Sequence, residues 1–314
     1  MTITQLRYVL AVAKYKNFTT ASEHCYVTQP TLSMQIHKLE ESLDIQIFNR
    51  NKKPIELTGV GKKIVEQAKT IVNESNRIAD IVDQQKGYVG GKFKIGIIPT
   101  IMPSLLPLFL KNFNNKYPEV ELIIHELTTS EIIQKLKDGN LDAAIAATPL
   151  KDETIIESPL YYEPFIGLVH KNHRLYHDEH LIPENLNIED LLLLEDGHCF
   201  KESALNICSS LKQDLKKKFV LQSGSFNTLI KLTKEGMGMT LLPYLHTLDL
   251  EDEDKKLIRE FQKPYPAREV SLIYHKSELK LQLIHALKEE ISGVIRGLIS
   301  FSEVKIVSPI REVR

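Results

Sequence analysis

Two cysteines are the residues whose type and spacing point most directly to chemistry. Cys199 and Cys208 are separated by eight residues, and Cys199 follows the tetrapeptide Glu-Asp-Gly-His at positions 195–198. This pattern predicts a strand end, a turn and a helix that begins at Cys199. A helix N-terminus and a neighbouring imidazole, here His198, can both stabilise a thiolate. Cys199 is therefore predicted to be a reactive thiol.

The second cysteine could convert an oxidised Cys199 into a disulfide. A thiolate that attacks a peroxide becomes a sulfenic acid, which a second thiol resolves. If residues 199–208 are helical, nine helical steps separate the two Cα atoms by roughly 13 Å, whereas a disulfide requires about 7 Å or less. The bond can form only if the helix bends or unwinds, which would make this segment a two-state element.

Other interpretations of the cysteines stay open at this point. A zinc site is disfavoured, because structural zinc does not use ligands with eight residues between them. Two unrelated buried cysteines are the simpler explanation from the residues alone. The third cysteine, Cys25, is predicted to be a small buried hydrophobe, and three cysteines in 314 residues do not make a structural disulfide framework.

The segments around the cysteines alternate between strand-like and helix-like patterns. Strands are predicted at residues 93–99, 121–127, 141–147, 165–170, 191–194, 219–222, 239–242 and 270–274. Helices are predicted at residues 103–116, 130–138 and 278–298, with others beginning at Cys199 and Ser225. This order implies an α/β fold with a mostly parallel sheet and helices on both faces. We predict two lobes, with the chain crossing between them twice.

Hydroxyl side chains follow two of the predicted strands. Thr100 comes directly after the strand at 93–99, and Thr129 lies in the Thr-Thr-Ser run that follows the strand at 121–127. Ligands of α/β folds bind in the crevice at the carboxyl ends of strands. The same side chains also cap helices, so a binding role and a purely local role both remain open.

The first 65 residues predict three short helices and a basic turn. Apolar residues recur at helical spacing in the first helix (Leu6, Val9, Leu10, Ala13) and in the third (Leu32, Ile36, Leu39, Leu43). Thr19 or Thr20 is predicted to cap the second helix, which extends to Cys25. The third helix presents polar side chains of the kind that read base edges in the major groove, and residues 48–54 form a wing between two short strands. The alternative is three amphipathic helices with a solvated polar face.

The charge distribution favours contact with phosphate at one end only. Residues 1–65 hold nine Lys or Arg and five Asp or Glu, whereas the whole chain has a formal net charge of −1. Residues 1–65, called the head here, are therefore basic, and the remainder of the chain, called the body, is acidic. The sequence shows neither a signal-peptide pattern nor an apolar run of the roughly 20 residues that a membrane helix needs. We expect a cytoplasmic protein with no membrane association.

A long helix is predicted between the head and the body. From residue 58 to about 86 there is no Pro, and Gly occurs only at the start. A heptad stripe runs through it, consisting of Ile64, Ala68, Ile71, Ser75, Ile78 and Val82. This stripe predicts a dimerisation helix, although a helix folded back on its own body is an alternative. The sequence Gly-Tyr-Val-Gly-Gly at 87–91 predicts a hinge.

The head resembles the LysR-type transcriptional regulators. The matching motifs are Thr28-Gln29-Pro30-x-x-Ser33-x-x-Ile36-x-x-Leu39-Glu40, Ile47-Phe48-x-Arg50 and Leu57-Thr58-x-x-Gly61. The sequence departs from the usual pattern at Asp44, where the family commonly has Gly, and at Ser22, where it has Ala. The resemblance implies a winged helix-turn-helix whose DNA contacts come from Thr28, Gln29, Pro30, Thr31, Ser33, Gln35, Lys38, Arg50, Lys52 and Lys53.

The body resembles the hydrogen-peroxide sensors of the same family, over essentially the whole chain. The run Glu-Asp-Gly-His-Cys-Phe at 195–200 with Cys208 carries this resemblance. It implies that Cys199 is the peroxidatic cysteine and Cys208 the resolving cysteine. It also implies a peroxide pocket lined by Thr100, Thr129, His198 and Arg268. The expected partners are double-stranded promoter DNA, RNA polymerase and further copies of the chain in a homodimer or homotetramer, with no cofactor and no metal.

The resemblance also implies the domain organisation. We expect a winged helix-turn-helix at 1–58, a linker helix and hinge at 59–91, and a two-lobed α/β regulatory domain at 92–302 of the type 2 periplasmic-binding-protein kind. Lobe I comprises about 92–164 and 268–302, and lobe II about 165–267. Two competing functions remain: a LysR-type regulator that senses a small metabolite in the interlobe cleft with non-redox cysteines, and a thiol peroxidase. A DNA-binding head has no use in a peroxidase, so we expect a transcriptional activator that is not an enzyme.

Overall fold

The computed structural model describes residues 1–85, 89–195, 199–208 and 224–310 and, within these ranges, every side chain except those of residues 76, 79, 80 and 83–85. The chain forms two compact units, Met1–Tyr88 and Val89–Arg314. Among the helices described, none has the length and apolar character needed to cross a bilayer.

The first unit contains three short helices, a two-stranded wing and one long helix. Its elements are α1 (Ile3–Tyr15), α2 (Phe18–His24), α3 (Gln29–Leu43), β1 (Phe48–Asn49), β2 (Glu56–Leu57) and α4 (Gly59–Gln85). The two wing strands are antiparallel, with Phe48 opposite Leu57. The predicted order of three helices, wing and long helix is confirmed.

The start of α2 differs from the prediction. Asn17 is the N-cap, and its side-chain oxygen accepts hydrogen bonds from the backbone N–H groups of Thr19 and Thr20 at 2.8 and 3.1 Å. The prediction that Thr19 or Thr20 caps this helix is wrong, because Asn17 has the extended backbone from which a side chain reaches the free N–H groups of the first turn. The helix ends at His24, and Cys25 follows as its C-cap.

The apolar faces of α1 to α3 enclose the core of the first unit. Its most buried members are Leu6, Val9, Val12, Ala21, Leu32, Ile36, Leu39, Ile47 and Phe48. Leu10 and Ala13 pack at the edge of this core rather than inside it. Leu43 is exposed, contrary to the prediction, because α3 ends at this residue and Asp44 turns the chain in the left-handed conformation.

The long helix α4 has one half that packs within its own unit. Ile64 and Ile71 lie partly buried against the core of the first unit, and Ala68 is only 1% exposed. Ile78 and Val82, further along, are 65% and 45% exposed. The prediction of Ala68 as a dimerisation residue is therefore wrong, because its side chain is already covered where α4 contacts α1. The first half of α4 therefore packs on the helices of its own unit.

The second unit is an α/β structure. Its first elements are β3 (Gly91–Ile97), α5 (Met102–Lys116), β4 (Val120–Glu126), α6 (Thr129–Lys137), β5 (Ala143–Thr148), β6 (Ile155–Val169), β7 (Leu191–Leu192) and α7 (Cys199–Ile207). They are followed by α8 (Phe226–Lys234), β8 (Met239–Pro243), α9 (Tyr244–Thr247), α10 (Asp252–Lys255), β9 (Ile258–Arg259), β10 (Tyr265–His275), α11 (Leu281–Ile295) and β11 (Val304–Ile306). The strand predicted at 219–222 lies outside the described residues.

The sheet of the second unit is mixed rather than mostly parallel. Its strands follow the order β4-β3-β5-β10-β6-β8-β7, with β11 beside β10 and β9 beside β6. Strand β3 is parallel to β4 and β5, and β7 is parallel to β8, as predicted. The prediction is wrong for the centre, where β10 is antiparallel to both β5 and β6. The reason is that β6 and β10 carry the chain between the lobes in opposite directions.

Two hydrophobic cores lie on either side of these long strands. The first is built from α5, α11 and strands β3 to β5, and includes Phe93, Phe109 and Phe113. The second is built from α7, α8 and strand β8, and includes Phe165 and Phe261. The two cores correspond to the two predicted lobes, and β6 passes from one to the other along its length.

Candidate redox site and DNA-reading surface

Cys199 is the first residue of α7, and several groups act on its sulfur. The Thr129 side chain, the backbone at Cys199 and Phe200, and the Arg268 guanidinium lie close enough to the thiol to oppose a rise of its pKa. Thr129 is available for this contact because Thr128 serves as the N-cap of α6. Cys199 is partly exposed as a residue, whereas its sulfur is desolvated. The predicted placement at a helix N-terminus is confirmed.

The electrostatic prediction for Cys199 is only partly right. Burial raises the pKa of the Cys199 thiol above its ordinary value, while Arg268, Thr129 and the backbone oppose that rise. The predicted stabilisation of the thiolate by the helix N-terminus is present, but desolvation outweighs it in the state described. His198, the predicted imidazole neighbour and pocket residue, lies outside the described residues.

Arg268 is the central charged group of the site and is only 2% exposed. Its Nε and Nη2 donate to Glu163 Oε2 at 2.9 and 2.7 Å. Its Nη1 donates to Thr100 Oγ1 and its Nη2 to the Thr100 carbonyl, both at 3.0 Å. The guanidinium also lies 5.3 Å from the centre of the Phe200 ring. Four predicted residues are therefore brought together: Thr100, Thr129, Cys199 and Arg268.

Glu163 is the member of this cluster that the sequence prediction missed. It is buried on β6 directly opposite Arg268 on β10, and its second carboxylate oxygen accepts the Leu245 N–H at 3.0 Å. The carboxylate thus neutralises the guanidinium and ties α9 to β6. The available signal was a single acid followed by an apolar run at 164–169, which is an unusual setting for an unpaired charge.

Cys208 comes directly after α7 and belongs to the opposite lobe. It is 2% exposed within the second core, whereas Cys199 packs against the first. Burial raises the pKa of the Cys208 thiol to about 12. Both cysteines are free thiols. Because α7 is intact between them, their Cα atoms are separated by roughly the 13 Å expected for nine helical steps, too far for a disulfide.

The hydrophobic contacts of α7 hold it in the second lobe. The Phe200 ring lies 5.0 Å from that of Phe165 and 4.9 Å from that of Phe226, measured between ring centres. Ala204 and Ile207 continue the buried face of the helix. The helix is therefore packed along its length, although the reactive cysteine at its start contacts the other lobe.

The predicted DNA-contacting residues lie on α3 and the wing. Gln29, Pro30 and Lys38 are exposed on α3, and Lys53 is exposed in the wing. The half-buried members are Thr31, Ser33 and Gln35. Thr28 has a local role as well, because its side-chain oxygen accepts the Thr31 N–H and so caps α3.

Two of the wing cations are engaged by carboxylates of their own unit. Arg50 Nη2 donates to Glu40 Oε2 at 2.8 Å, and Glu40 Oε1 accepts the backbone N–H of Ile47 at 2.8 Å. Lys52 pairs with Glu56 at 2.7 Å. The buried Glu40 thus holds the start of the wing in place through Ile47 and Arg50. Lys53 lies at the turn of the wing without a carboxylate within 4.0 Å among the described residues.

A helical head with a wing, joined in sequence to a two-lobed α/β unit, defines a DNA-binding transcriptional regulator. Residues 3–62 match the family described as bacterial regulatory helix-turn-helix protein, lysR family, and residues 86–295 match the LysR substrate binding domain. The matched regions together span most of the chain. The predicted family and fold class are confirmed.

Several known proteins resemble the chain over nearly all of its length. The hydrogen peroxide-inducible genes activator of Pectobacterium carotovorum is 33% identical over 95% of this chain and 99% of its own. The DNA-binding transcriptional dual regulator OxyR of Escherichia coli K12 is 33% identical over 93% and 97%. The solved structure of a full-length OxyR cysteine variant from Pseudomonas aeruginosa has a TM-score of 0.74 at 32% identity, covering 93% of this chain and 98% of its own. The chain belongs to the LysR family of regulators and, within it, to the OxyR group.

A further solved structure bears on the cysteine site. A hydrogen-peroxide-bound OxyR variant from Corynebacterium glutamicum, in which a cysteine is replaced by serine, has a TM-score of 0.61 at 27% identity. It covers 94% of this chain and 93% of its own.

Proposed function

We propose that the protein regulates transcription in response to hydrogen peroxide, through a reversible disulfide between Cys199 and Cys208. The observation that carries this proposal is the position of the two thiols at opposite ends of α7, one packed against each core. A bond between them requires the helix to be rebuilt. Small-molecule chemistry at one sulfur would therefore be converted into a change of structure in the regulatory unit.

The proposed chemistry consists of two displacement reactions. The Cys199 thiolate attacks one peroxide oxygen, the O–O bond breaks, and Cys199 sulfenic acid forms while the other oxygen leaves as water after protonation. The Cys208 sulfur then attacks the Cys199 sulfur, and the hydroxyl group leaves as a second water. In total, two thiols lose two electrons and two protons to one peroxide. A thiol reductant returns the disulfide to the dithiol.

The residues gathered around Cys199 have distinct roles in this scheme. Thr129 and the backbone at the start of α7 stabilise the thiolate, and Arg268 supplies positive charge beside it. Thr100 and Glu163 hold the guanidinium in place. His198 is retained as a proposed pocket residue. The peroxide bound to the relative from Corynebacterium glutamicum supports a peroxide pocket in this fold.

Formation of the Cys199–Cys208 disulfide is proposed to alter how the protein contacts promoter DNA. The proposed DNA-contacting residues are those on α3 and the wing. The proposed dimerisation surface consists of the exposed Ile78 and Val82 of α4, with Ile64, Ile71 and Ser75 at its edge. We place the protein in the cytoplasm as a homodimer or homotetramer that acts on RNA polymerase. One peroxide is consumed per signal, so the role is regulatory rather than enzymatic.

The sharpest test replaces Cys199 by Ser and follows both chemistry and response. In the unmodified protein, dilute peroxide should yield a Cys199–Cys208 link on mass mapping and a changed DNA footprint, and a thiol reductant should reverse both. The variant should show neither change while still binding DNA. A Cys25→Ser variant is the matched control and should respond like the original protein.

The competing functions give different results in the same experiment. A Cys199→Ser variant that still responds normally to peroxide in a reporter assay would show that the disulfide is not the signal. A footprint that changes with a small metabolite and not with peroxide would favour a metabolite sensor. Sustained peroxide turnover with a thiol reductant at enzyme-like rates would favour a thiol peroxidase.

A further inference from the structure

The end of the chain forms a segment that the sequence prediction left outside the regulatory domain. Residues 304–310, called the C-terminal strap here, follow the expected domain end at 302. The strap begins as strand β11, parallel to the start of β10, with Ile306 opposite Ala267. It continues with Val307, whose N–H donates to the Ala267 carbonyl at 2.8 Å. Arg268, the next residue on β10, is the central cation of the redox site.

Buried side chains and polar contacts fix the strap to lobe II. Val307 is buried in the second core, and Pro309 is also buried. At the base of the strap, the Tyr265 N–H donates to the Glu303 carbonyl at 3.0 Å, while the exposed Lys263–Glu303 ion pair at 3.1 Å adds little to this anchoring. The strap is therefore an anchored part of the lobe.

The far end of the strap contacts the redox helix directly. Asn206 Nδ2 donates to the carbonyl oxygens of Ser308 at 3.0 Å and Ile310 at 2.9 Å. Ser203 Oγ donates to the Ser308 carbonyl at 3.3 Å. Both side chains belong to the second half of α7. Three hydrogen bonds thus connect the strap to the part of the helix that ends at Cys208.

These contacts oppose the rearrangement that a disulfide requires. Cys208 must come within about 7 Å of Cys199, measured between Cα atoms, and it must leave the second core to do so. Asn206 precedes it by two residues. The last turn of α7 cannot travel that far while Asn206 remains bonded to a strap that is itself fixed to β10.

We propose that the C-terminal strap restrains α7 in its helical, reduced state and so sets how readily the Cys199–Cys208 disulfide closes. This inference rests on the proposed redox function and adds a restraint that acts on the second step. Among the described residues, the strap's hydrogen bonds to α7 come from Ser203 and Asn206 and none involves Cys199. The first step, oxidation of Cys199 by peroxide, should therefore not depend on the strap.

The test uses full-length Asn206→Ala, with Lys263→Ala as the control and a chain that stops after Glu303 as a second test. In a glutathione buffer, Asn206→Ala should raise the ratio of disulfide to dithiol about tenfold, because two hydrogen bonds of the reduced state are removed. The truncated chain should shift at least as far. Lys263→Ala removes only an exposed ion pair and should leave the ratio unchanged.

A second measurement separates the two chemical steps. In a Cys208→Ser background, the rate of sulfenic acid formation at Cys199 should be the same with and without Asn206→Ala. With Cys208 present, Asn206→Ala should speed the closing step. An increase in the first step alone would overturn the proposed restraint.

The outcomes distinguish this inference from the function on which it rests. If the unmodified protein forms the link, and Asn206→Ala closes it with the same rate and ratio, the strap inference is wrong while the proposed function stands. If peroxide links the cysteines in neither protein, both are wrong. Should the truncated chain fail to fold, Asn206→Ala decides the question.

Discussion

The Arg268–Glu163 pair determines the electrostatic character of the redox site. The two residues are opposite each other on β10 and β6, and both are almost completely buried. The carboxylate neutralises the guanidinium, so Cys199 experiences only part of the positive charge of Arg268. Burial raises the pKa of the Cys199 thiol, and it outweighs the opposing effect of the Arg268 charge. Reactivity in this state is therefore held below what an unpaired arginine would give.

Replacing Glu163 by Gln should show how strongly the ion pair affects protein stability and the pKa of the Cys199 thiol. Removing one partner of a buried ion pair leaves a charge without compensation, and we expect the free energy of unfolding to fall by about 3–5 kcal/mol. The freed guanidinium should also lower the pKa of the Cys199 thiol. Urea unfolding and the pH dependence of Cys199 alkylation measure the two effects.

The matched control for this variant is Glu157→Gln on the same strand. The Glu157 side chain accepts a backbone N–H from Leu150, a bond that the amide oxygen of Gln can replace. Glu157→Gln should change neither the free energy of unfolding nor the pKa of the Cys199 thiol appreciably. If Glu163→Gln leaves both the stability and the Cys199 pKa unchanged, the pair does not govern the thiol.

Cys208 should make the reduced protein sensitive to alkali. Its folded pKa of about 12 exceeds the ordinary value of 9.0 that applies when the chain is unfolded. The stabilising contribution is fully present below pH 9 and is lost as pH rises toward 12, because only the unfolded state releases the proton. Between pH 9 and 10 the reduced protein should lose about 1 kcal/mol more stability than Cys208→Ala. Parallel urea series with reductant measure this difference, and equal losses would contradict it.

At the scale of elements, the wing has one cation whose role in DNA binding can be isolated. Arg50 and Lys52 are paired with carboxylates, and removing Arg50 would also disturb the buried Glu40. Lys53 is exposed at the turn. Its replacement therefore changes charge with little effect on the fold.

Lys53→Ala should weaken binding to specific and non-specific DNA to a similar extent. Loss of one phosphate contact should also reduce the slope of log binding constant against log salt concentration by about 1. Fluorescence anisotropy at several salt concentrations measures both. Lys69→Ala, an exposed lysine on α4, is the control, and an equal effect of the two variants would argue against a specific contact by the wing.

Much of the arrangement of elements was predictable, because it depends on local patterns. Alternating strands and helices, the Pro30 start of α3 and the helix beginning at Cys199 are all visible in the sequence. The long strand β6 was not, since Pro159 and Pro164 interrupt its pattern and led to a predicted start at residue 165. Its pairing partner β10 supplies the hydrogen bonds that maintain the strand on either side of the Pro residues.

The residues of the site could be predicted from the sequence, but the direction of the pKa shift of the Cys199 thiol could not. Thr100, Thr129, Cys199 and Arg268 were identified from the family resemblance, and the fold brings them together. The raised pKa of the Cys199 thiol comes chiefly from burial of its sulfur, which depends on tertiary packing and is not encoded locally. The strap contacts to α7 join positions about a hundred residues apart, which sequence spacing does not reveal.

For the whole molecule, the distribution of apolar surface along α4 separates intramolecular packing from surface available to another chain. Ala68 and its neighbours Val65 and Val72 are buried within the first unit. Ile78 and Val82 are exposed on the same helix. Exposed branched side chains at heptad spacing are suited to packing against a second helix, so the second half of α4 is the better candidate for self-association.

Ile78→Asp should therefore weaken the proposed assembly without unfolding the chain. A charge in a helix–helix contact is costly, whereas on an exposed surface it changes stability by at most about 0.5 kcal/mol. Sedimentation should show a shift toward the monomer, and affinity for a two-site promoter should fall more than affinity for a single site. Val60→Asp, at the start of α4 and 42% exposed, is the matched control because it lies outside the heptad stripe. If Ile78→Asp sediments like the unmodified protein while Val60→Asp dissociates it, chains associate through the start of α4 instead.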